Sequence, residues 1–214
     1  MKTLRLTIKN LDDDGYYDGS VDVANFNGNI RIDAGAGWYR FKTSVNASGY
    51  IDSRGSIHSA GDINSGDFIF SGGNIVSAGD ILSRGYIKAV GYIHSGDYIH
   101  SHDFIDSGDF INSHGYIWAG GYIKSRDCIL SHDFIESGDY IHSGDDIESG
   151  DYIKSAGDIV SGRGINSHGY IKSGGDIYSR NDINSVGLVT CKNLLKGKIA
   201  SGELVETRVL DQAC

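Results

Sequence analysis

Isoleucine occupies every sixth position from Ile51 to Ile183, 23 times without interruption. No other feature restricts the fold of this chain as much. Residues six apart on an α-helix are turned by about 600°, so an unbroken six-residue stripe cannot form one helical face. Strand geometry accommodates it, because side chains alternate with a period of two and two divides six. Val45 precedes the series in register, and Val189 and Leu195 follow it. Two residues after each Ile stands a serine, from Ser53 to Ser185; Ala89 and Ala119 are the exceptions, and Cys191 continues the column. Ile and Ser therefore point inward, and the residue between them points outward.

A typical unit reads Ser95-Gly96-Asp97-Tyr98-Ile99-His100. The Ser-Gly-Asp section suits a corner, since Gly and Asp adopt turn conformations at low cost. One unit cannot bury its Ile alone, so the units must stack as a β-solenoid. The absence of Pro agrees with this, because nearly every amide in such a ladder donates.

The residue before each Ile sets the number of units per coil. Steps of 18 collect Tyr50, Phe68, Tyr86, Phe104, Tyr122 and Tyr140 in one column, and Tyr98, Tyr116, Phe134, Tyr152 and Tyr170 in a second. A third column is mixed: Asn74, Tyr92, Phe110, Cys128, Asp146. Steps of 24 scramble aromatic and acidic residues. The expectation is an all-β, triangular β-solenoid (β-helix) with three six-residue strands per coil. Val45 to Ile183 then make roughly eight coils of about 4.8 Å each, a rod about 37 Å long. Residues 1–44 are expected to form an N-terminal β cap or irregular first coil, 45–195 the solenoid, and 196–214 a C-terminal cap. Caps are expected because an open end is an unpaired strand edge, unless one end is left for partners.

The hexad resembles several solenoid families. Hexapeptide acyltransferases share the six-residue rule, but their small residue lies two positions before the aliphatic one, whereas here the Ser follows it. The phrase Gly-Asp-Ile-x-Ser (Gly61-Asp62-Ile63-Asn64-Ser65 and Gly79-Asp80-Ile81-Leu82-Ser83) looks more like bactofilins, which are polymer-forming cytoskeletal solenoids. The repeat is also similar to pentapeptide-repeat proteins, some of which imitate the DNA duplex, although the period here is six. Together these resemblances cover residues 45–195 and imply architecture; no catalytic His carries over.

Enzyme chemistry finds little footing. The 31 glycines belong to corners, so a Gly-x-Gly match is uninformative here. Nine-residue calcium repeats do not fit a six-residue unit. His114 and His132 lie 18 apart and should stack about 5 Å apart on neighbouring coils, but their column offers no Cys and no regular acid. With so many column serines, eight His and many Asp, chance Ser-His-Asp neighbours are guaranteed and carry no weight. The serine column reads as small corner filler whose hydroxyls bond to backbone. A non-enzymatic protein with no cofactor and no metal site is expected. Cys128, Cys191 and Cys214 are too scattered for a disulfide framework or a zinc knuckle. The start, Met1-Lys2-Thr3-Leu4-Arg5-Leu6, lacks a signal-peptide apolar block, so a cytoplasmic location is expected. No apolar run is long enough to span a bilayer, so no membrane role is expected.

Charge is the remaining signal. The chain carries a net −9, and the stretch from Ile93 to Asp158 holds thirteen acids against three bases, a net −10. Spread over about 18 Å of rod, that is about one negative charge per 1.8 Å, close to the 1.7 Å of duplex DNA. The candidate partner-binding acids are Asp97, Asp103, Asp109, Asp127, Asp133, Glu136, Asp139, Asp145, Asp146, Glu148 and Asp151. Asp109, Asp127 and Asp145 are successive 18-step neighbours. Acids of this density keep a β-rich rod soluble and discourage edge association. They also suit a DNA-mimic-like inhibitor held in the groove of a basic, nucleic-acid-binding protein. The pentapeptide-repeat resemblance implies a phage or mobile-element anti-defence setting for such an inhibitor. Direct nucleic-acid binding is not expected, because like charges repel. The runner-up is a self-assembling scaffold like the bactofilins, with a homodimer or end-to-end polymer. The third is a carbohydrate-binding fibre module using the strip Tyr98, Tyr116, Phe134, Tyr152 and Tyr170, although cross-strand stacking between coils explains the same column.

Overall fold

The computed structural model describes residues 1–33 and 37–206, the side chains of 195–197, 205 and 206 excepted. Its strands form one parallel sheet that winds through about nine turns, with a single short 3-10 helix, Ile8–Asn10, among the described residues. The β-solenoid expected from the hexad is what forms. Through the middle of the rod each Ile-x-Ser or Ile-x-Ala triplet is a three-residue strand that pairs with the triplets 18 residues away on either side: Ile63 opposes Ile81, which opposes Ile99. Like therefore stacks on like along the whole rod.

The alternation of burial follows the pleat. The isoleucines from Ile51 to Ile183 are 0% exposed and run up the interior as one continuous core, with Val189 and Cys191 continuing it. Burying each contributes about 1.5–3 kcal/mol relative to exposure. The serines two positions on are buried as well. Their hydroxyls do what a corner needs: Ser65 Oγ bonds the Gly49 carbonyl of the preceding coil at 2.7 Å and lies 3.0 Å from the Phe68 carbonyl beyond the turn. It also accepts the Asp67 amide at 3.2 Å. The tight coil spacing demands glycine at some corners; a Cβ on Gly66 would land on the Ser48 carbonyl.

Aspartate or asparagine before the Ile has a structural purpose that the pattern alone does not reveal. Asn74 Oδ1 accepts the Tyr92 amide at 3.0 Å, Asp146 Oδ1 the Gly164 amide at 2.8 Å, and Asp158 Oδ1 the Asp176 amide at 2.8 Å. These side chains supply an acceptor to an amide one coil away.

Toward the N-terminus the ladder continues beyond Val45. Trp38–Phe41 lies on Ser56–Ser59, and Asn29–Ile32 lies on Ile51–Ser53 with Ile30 opposite Ile51, an offset of 21 where the repeat uses 18. Thr3–Leu6 pairs in turn with Asn29–Ile32. Here the core is mixed: Leu6, Val23, Phe26, Tyr39 and Phe41 are buried beside Ile30 and Ile32. The Tyr39 hydroxyl donates to the Thr7 carbonyl at 3.3 Å, and burial pushes its pKa well above the ordinary tyrosine value.

The C-terminal end departs from the sequence register. Ile177–Cys191 is followed by a parallel strand, Leu194–Glu206, in which Leu194, not Leu195, stands opposite Ile177. Ile199 then opposes Ile183 and Leu204 opposes Val189, so the offset has shrunk to 16 and 15 residues. The hexad spacing ends at Cys191, and the shorter connection through Lys192 and Asn193 pulls the following strand forward. Residues 207–214, including Cys214 and the end of the expected cap, lie outside the described residues. Among the described residues no helix is long and apolar enough to cross a membrane.

Candidate functional site

The eleven acids singled out by charge density separate by their place in the repeat. Eight of them, Asp97, Asp103, Asp109, Asp127, Asp133, Asp139, Asp145 and Asp151, hold one position, two residues before an Ile. That position is the corner. The corner serine fixes the backbone there: Asp97, Asp103, Asp109, Asp133, Asp139, Asp145 and Asp151 all donate their amides to the Ser Oγ two residues earlier, at 3.2–3.3 Å. The carboxylates project from the turn, and those of Asp97, Asp103, Asp109, Asp133, Asp139 and Asp151 belong to exposed residues.

Because these acids recur every six residues of an 18-residue coil, they wind around the rod. Asp97, Asp103 and Asp109 make one run, and Asp127 to Asp151 a second run of five, separated by Gly115 and Gly121. Successive members rise about 1.6 Å, a third of the coil spacing, so five carboxylates encircle the rod within about 6.4 Å of its length. The acids form a belt and not a face. Axial neighbours are also brought together: the Asp127 amide meets the Asp109 carbonyl at 3.4 Å, and the Asp145 amide the Asp127 carbonyl at 3.4 Å.

The remaining three acids have local duties. Asp146 caps the Gly164 amide and lies 3.6 Å from Arg163. Glu136 accepts Lys154 at 2.6 Å and the Tyr152 hydroxyl at 3.0 Å. Glu148 is exposed on its strand and accepts from Asn166 at 3.4 Å. Within the belt, Asp145 is paired with Arg163 at 3.0 Å. Desolvation still raises its carboxyl, with Arg163 opposing and the neighbouring Asp146 and Asp127 adding to the rise. Asp106, not among the eleven, bonds Lys88 at 2.9 Å.

The aromatic columns stack as the 18-residue step implies. Tyr98, Tyr116, Phe134, Tyr152 and Tyr170 follow one another at centroid distances of 4.7–4.9 Å and interplanar angles of 1–6°. The Tyr50-to-Tyr140 column does the same at 4.8–5.0 Å. Tyr98, Tyr116, Phe134 and Tyr152 are half-buried, and Tyr170 is exposed at 39%. Sugars stack on open ring faces, and these faces are turned to one another. Tyr98 is additionally held by Asp80, whose hydrogen bond and charge push the phenol up to about 12.

His114 and His132 lie 4.9 Å apart as the spacing implies, but their rings are tilted by 41° and do not stack, and His94 meets His114 edge-on at 5.5 Å. Among the described residues no group of three or more His, Cys, Asp or Glu is placed to hold a metal ion. Cys128 is half-buried and Cys191 is buried.

No known protein family, curated protein or solved structure matches the chain.

Proposed function

We propose that this chain is a non-catalytic protein that works through its surface, and that its acid belt occupies the nucleic-acid groove of a basic, nucleic-acid-binding protein. The observation that carries this reading is the placement of eight carboxylates at one corner position in runs of three and five. A partner groove that wraps a rod meets negative charge all round it, as it would on a duplex. Attraction of this kind speeds encounter and is weakened by salt. The stacked aromatic columns act as scaffold in this reading, holding coil on coil beneath the belt.

A second reading is end-to-end assembly of copies. It is supported by apolar side chains exposed near the C-terminal end, Val186 at 77% and Leu188 at 48%.

The test is capture of partners from lysate at low and high salt, with wild type beside the triple reversal Asp109→Lys, Asp127→Lys and Asp145→Lys, and with the eluates viewed by negative-stain microscopy. Recovery of a basic nucleic-acid-binding protein at low salt alone, lost in the triple variant, is expected. Equal capture by the folded variant sinks the belt as the binding surface. Filaments without a partner favour assembly.

A further inference from the structure

One patch, at the edge of the acidic stretch and within it, has the opposite sign. Lys88, Asp106, Lys124 and His142 hold the outward position on four stacked strands, in register with one another. Just past the inward Ala89, Ser107, Ser125 and Ser143 of these strands comes a second row: Val90, Gly108, Arg126 and Gly144. The two glycines are forced by close packing, since a Cβ on Gly108 would land on the Val90 carbonyl and one on Gly144 on the Arg126 carbonyl. Their consequence on the surface is a hollow of about 430 Å³ with Arg126 standing between them, lined also by Lys88, Lys124 and His142.

Asp106 also lines the hollow, so its charges are neutralised only in part. Lys88 is engaged with Asp106 at 2.9 Å. Lys124 and Arg126 are exposed and form no ion pair among the described residues. The third base of the Ile93–Asp158 stretch, Lys154, is bonded to Glu136 at 2.6 Å. The two bases without a counter-charge are therefore the two that sit side by side. With the inward Ser125 between them, both leave the strand on its outer side, about 6.6 Å apart along it. His142 flanks Lys124; burial, then the Lys124 charge, hold its imidazole below the ordinary value, so at neutral pH it offers an uncharged ring nitrogen.

We propose that this hollow binds an oxyanion, a carboxylate or phosphate group carried on a small polar molecule. The Arg126 guanidinium presents paired N–H donors that match two oxygens of such a group, and Lys124 adds a compact charge beside it. His142 and the walls at Val90 and Gly108 face the rest of the molecule. A hollow of this size lies within the range of small-ligand sites. The site is distinct from the acid belt, which repels the same ligand.

The test is a titration of the full chain, at constant ionic strength, with inorganic phosphate and separately with glucuronate, followed by amide and side-chain NMR shifts. Three proteins are compared: wild type, the double variant Lys124→Ala/Arg126→Ala, and Lys172→Ala as a control cation elsewhere on the rod. None of these changes touches an inward Ile or Ser, and unchanged circular dichroism checks the fold. Saturable shifts centred on Lys124, Arg126 and His142, weakened at least tenfold in the double variant and unaltered in Lys172→Ala, are expected. Saturation by phosphate alone or by glucuronate alone assigns the group, and either supports the site. Shifts that fail to saturate with both probes, survive in the double variant or weaken equally in Lys172→Ala overturn it.

Discussion

The Ser131 hydroxyl bonds the carbonyl of Gly115, sixteen residues earlier and one coil below, at 2.7 Å. The same oxygen lies 3.1 Å from the Phe134 carbonyl across its own corner and accepts the Asp133 amide at 3.2 Å. One proton is shared between two carbonyls, so a single small side chain closes a turn and ties it to its neighbour. The arrangement recurs along the rod, as at Ser65, Ser101 and Ser149.

Ser131→Ala should lower stability by about 1–3 kcal/mol, the cost of leaving buried backbone groups without their partner. The chain should still fold, because Ala89 and Ala119 already occupy the same column, 2% and 0% exposed. Urea unfolding followed by circular dichroism measures this. An unchanged midpoint would mean that the hydroxyl does no more than fill space.

Stability should form a plateau bounded by histidine on the acid side and tyrosine on the alkaline side. Burial holds His58, His94, His100 and His142 below their ordinary value. The unfolded chain then binds protons that the folded chain refuses. This stabilisation is complete above the ordinary histidine value of about 6.5 and is lost as pH falls from there toward the depressed folded values. Tyr98, chiefly through Asp80, and Tyr122, chiefly through burial, are pushed up to about 12. Folded phenols keep protons that the unfolded chain releases. Their contribution is present below the ordinary tyrosine value of about 10 and is lost as pH rises from 10 toward 12. Thermal unfolding from pH 5.5 to 11 should show both shoulders, and the pair His94→Asn and His142→Asn should flatten the acid one. A melting temperature that climbed as pH dropped from 7 to 6 would contradict the assignment.

The order of the coils was open to reading because the hexad repeats without a break and identical residues stack. Ile81 opposite Ile99 follows from the 18-residue aromatic step alone. The ends were less open, since their register depends on connections that break the hexad. Leu194 displaces Leu195 from the place opposite Ile177 because Lys192 and Asn193 make a shorter link, and spacing arithmetic cannot anticipate that. The acids were legible as a dense group but not as a belt. Charge density counts Asp146 and Glu136 with Asp97, whereas only the folded ladder shows that Asp146 caps an amide and Glu136 is paired. The hollow around Arg126 was invisible for the same reason. It arises from Gly108 and Gly144 at the corners 18 residues to either side, which are neighbours in the coil stack alone.

The column of Asp109, Asp127 and Asp145 makes the belt's cost measurable. Three carboxyl-bearing corners follow one another at the coil spacing, and Arg163 neutralises Asp145 at the end. Asp127 in the middle has like charge on both sides and no ion pair among the described residues. Stacked like charges oppose folding, and salt screens them. Asp127→Asn keeps the shape and removes the repulsion. The variant should melt about 1–2 °C higher than wild type at low salt, the scale of a weak cross-strand term in a chain of this size. The difference should shrink as salt is raised. The Asp145 carboxyl, which Asp127 helps to hold above its ordinary value, should titrate lower in the variant when followed by NMR. A variant that melts below wild type at every salt concentration would mean that Asp127 holds its corner by a contact whose value exceeds the repulsion. The belt would then be a structural device of the corner, and the charge-based reading of this column would lose its footing.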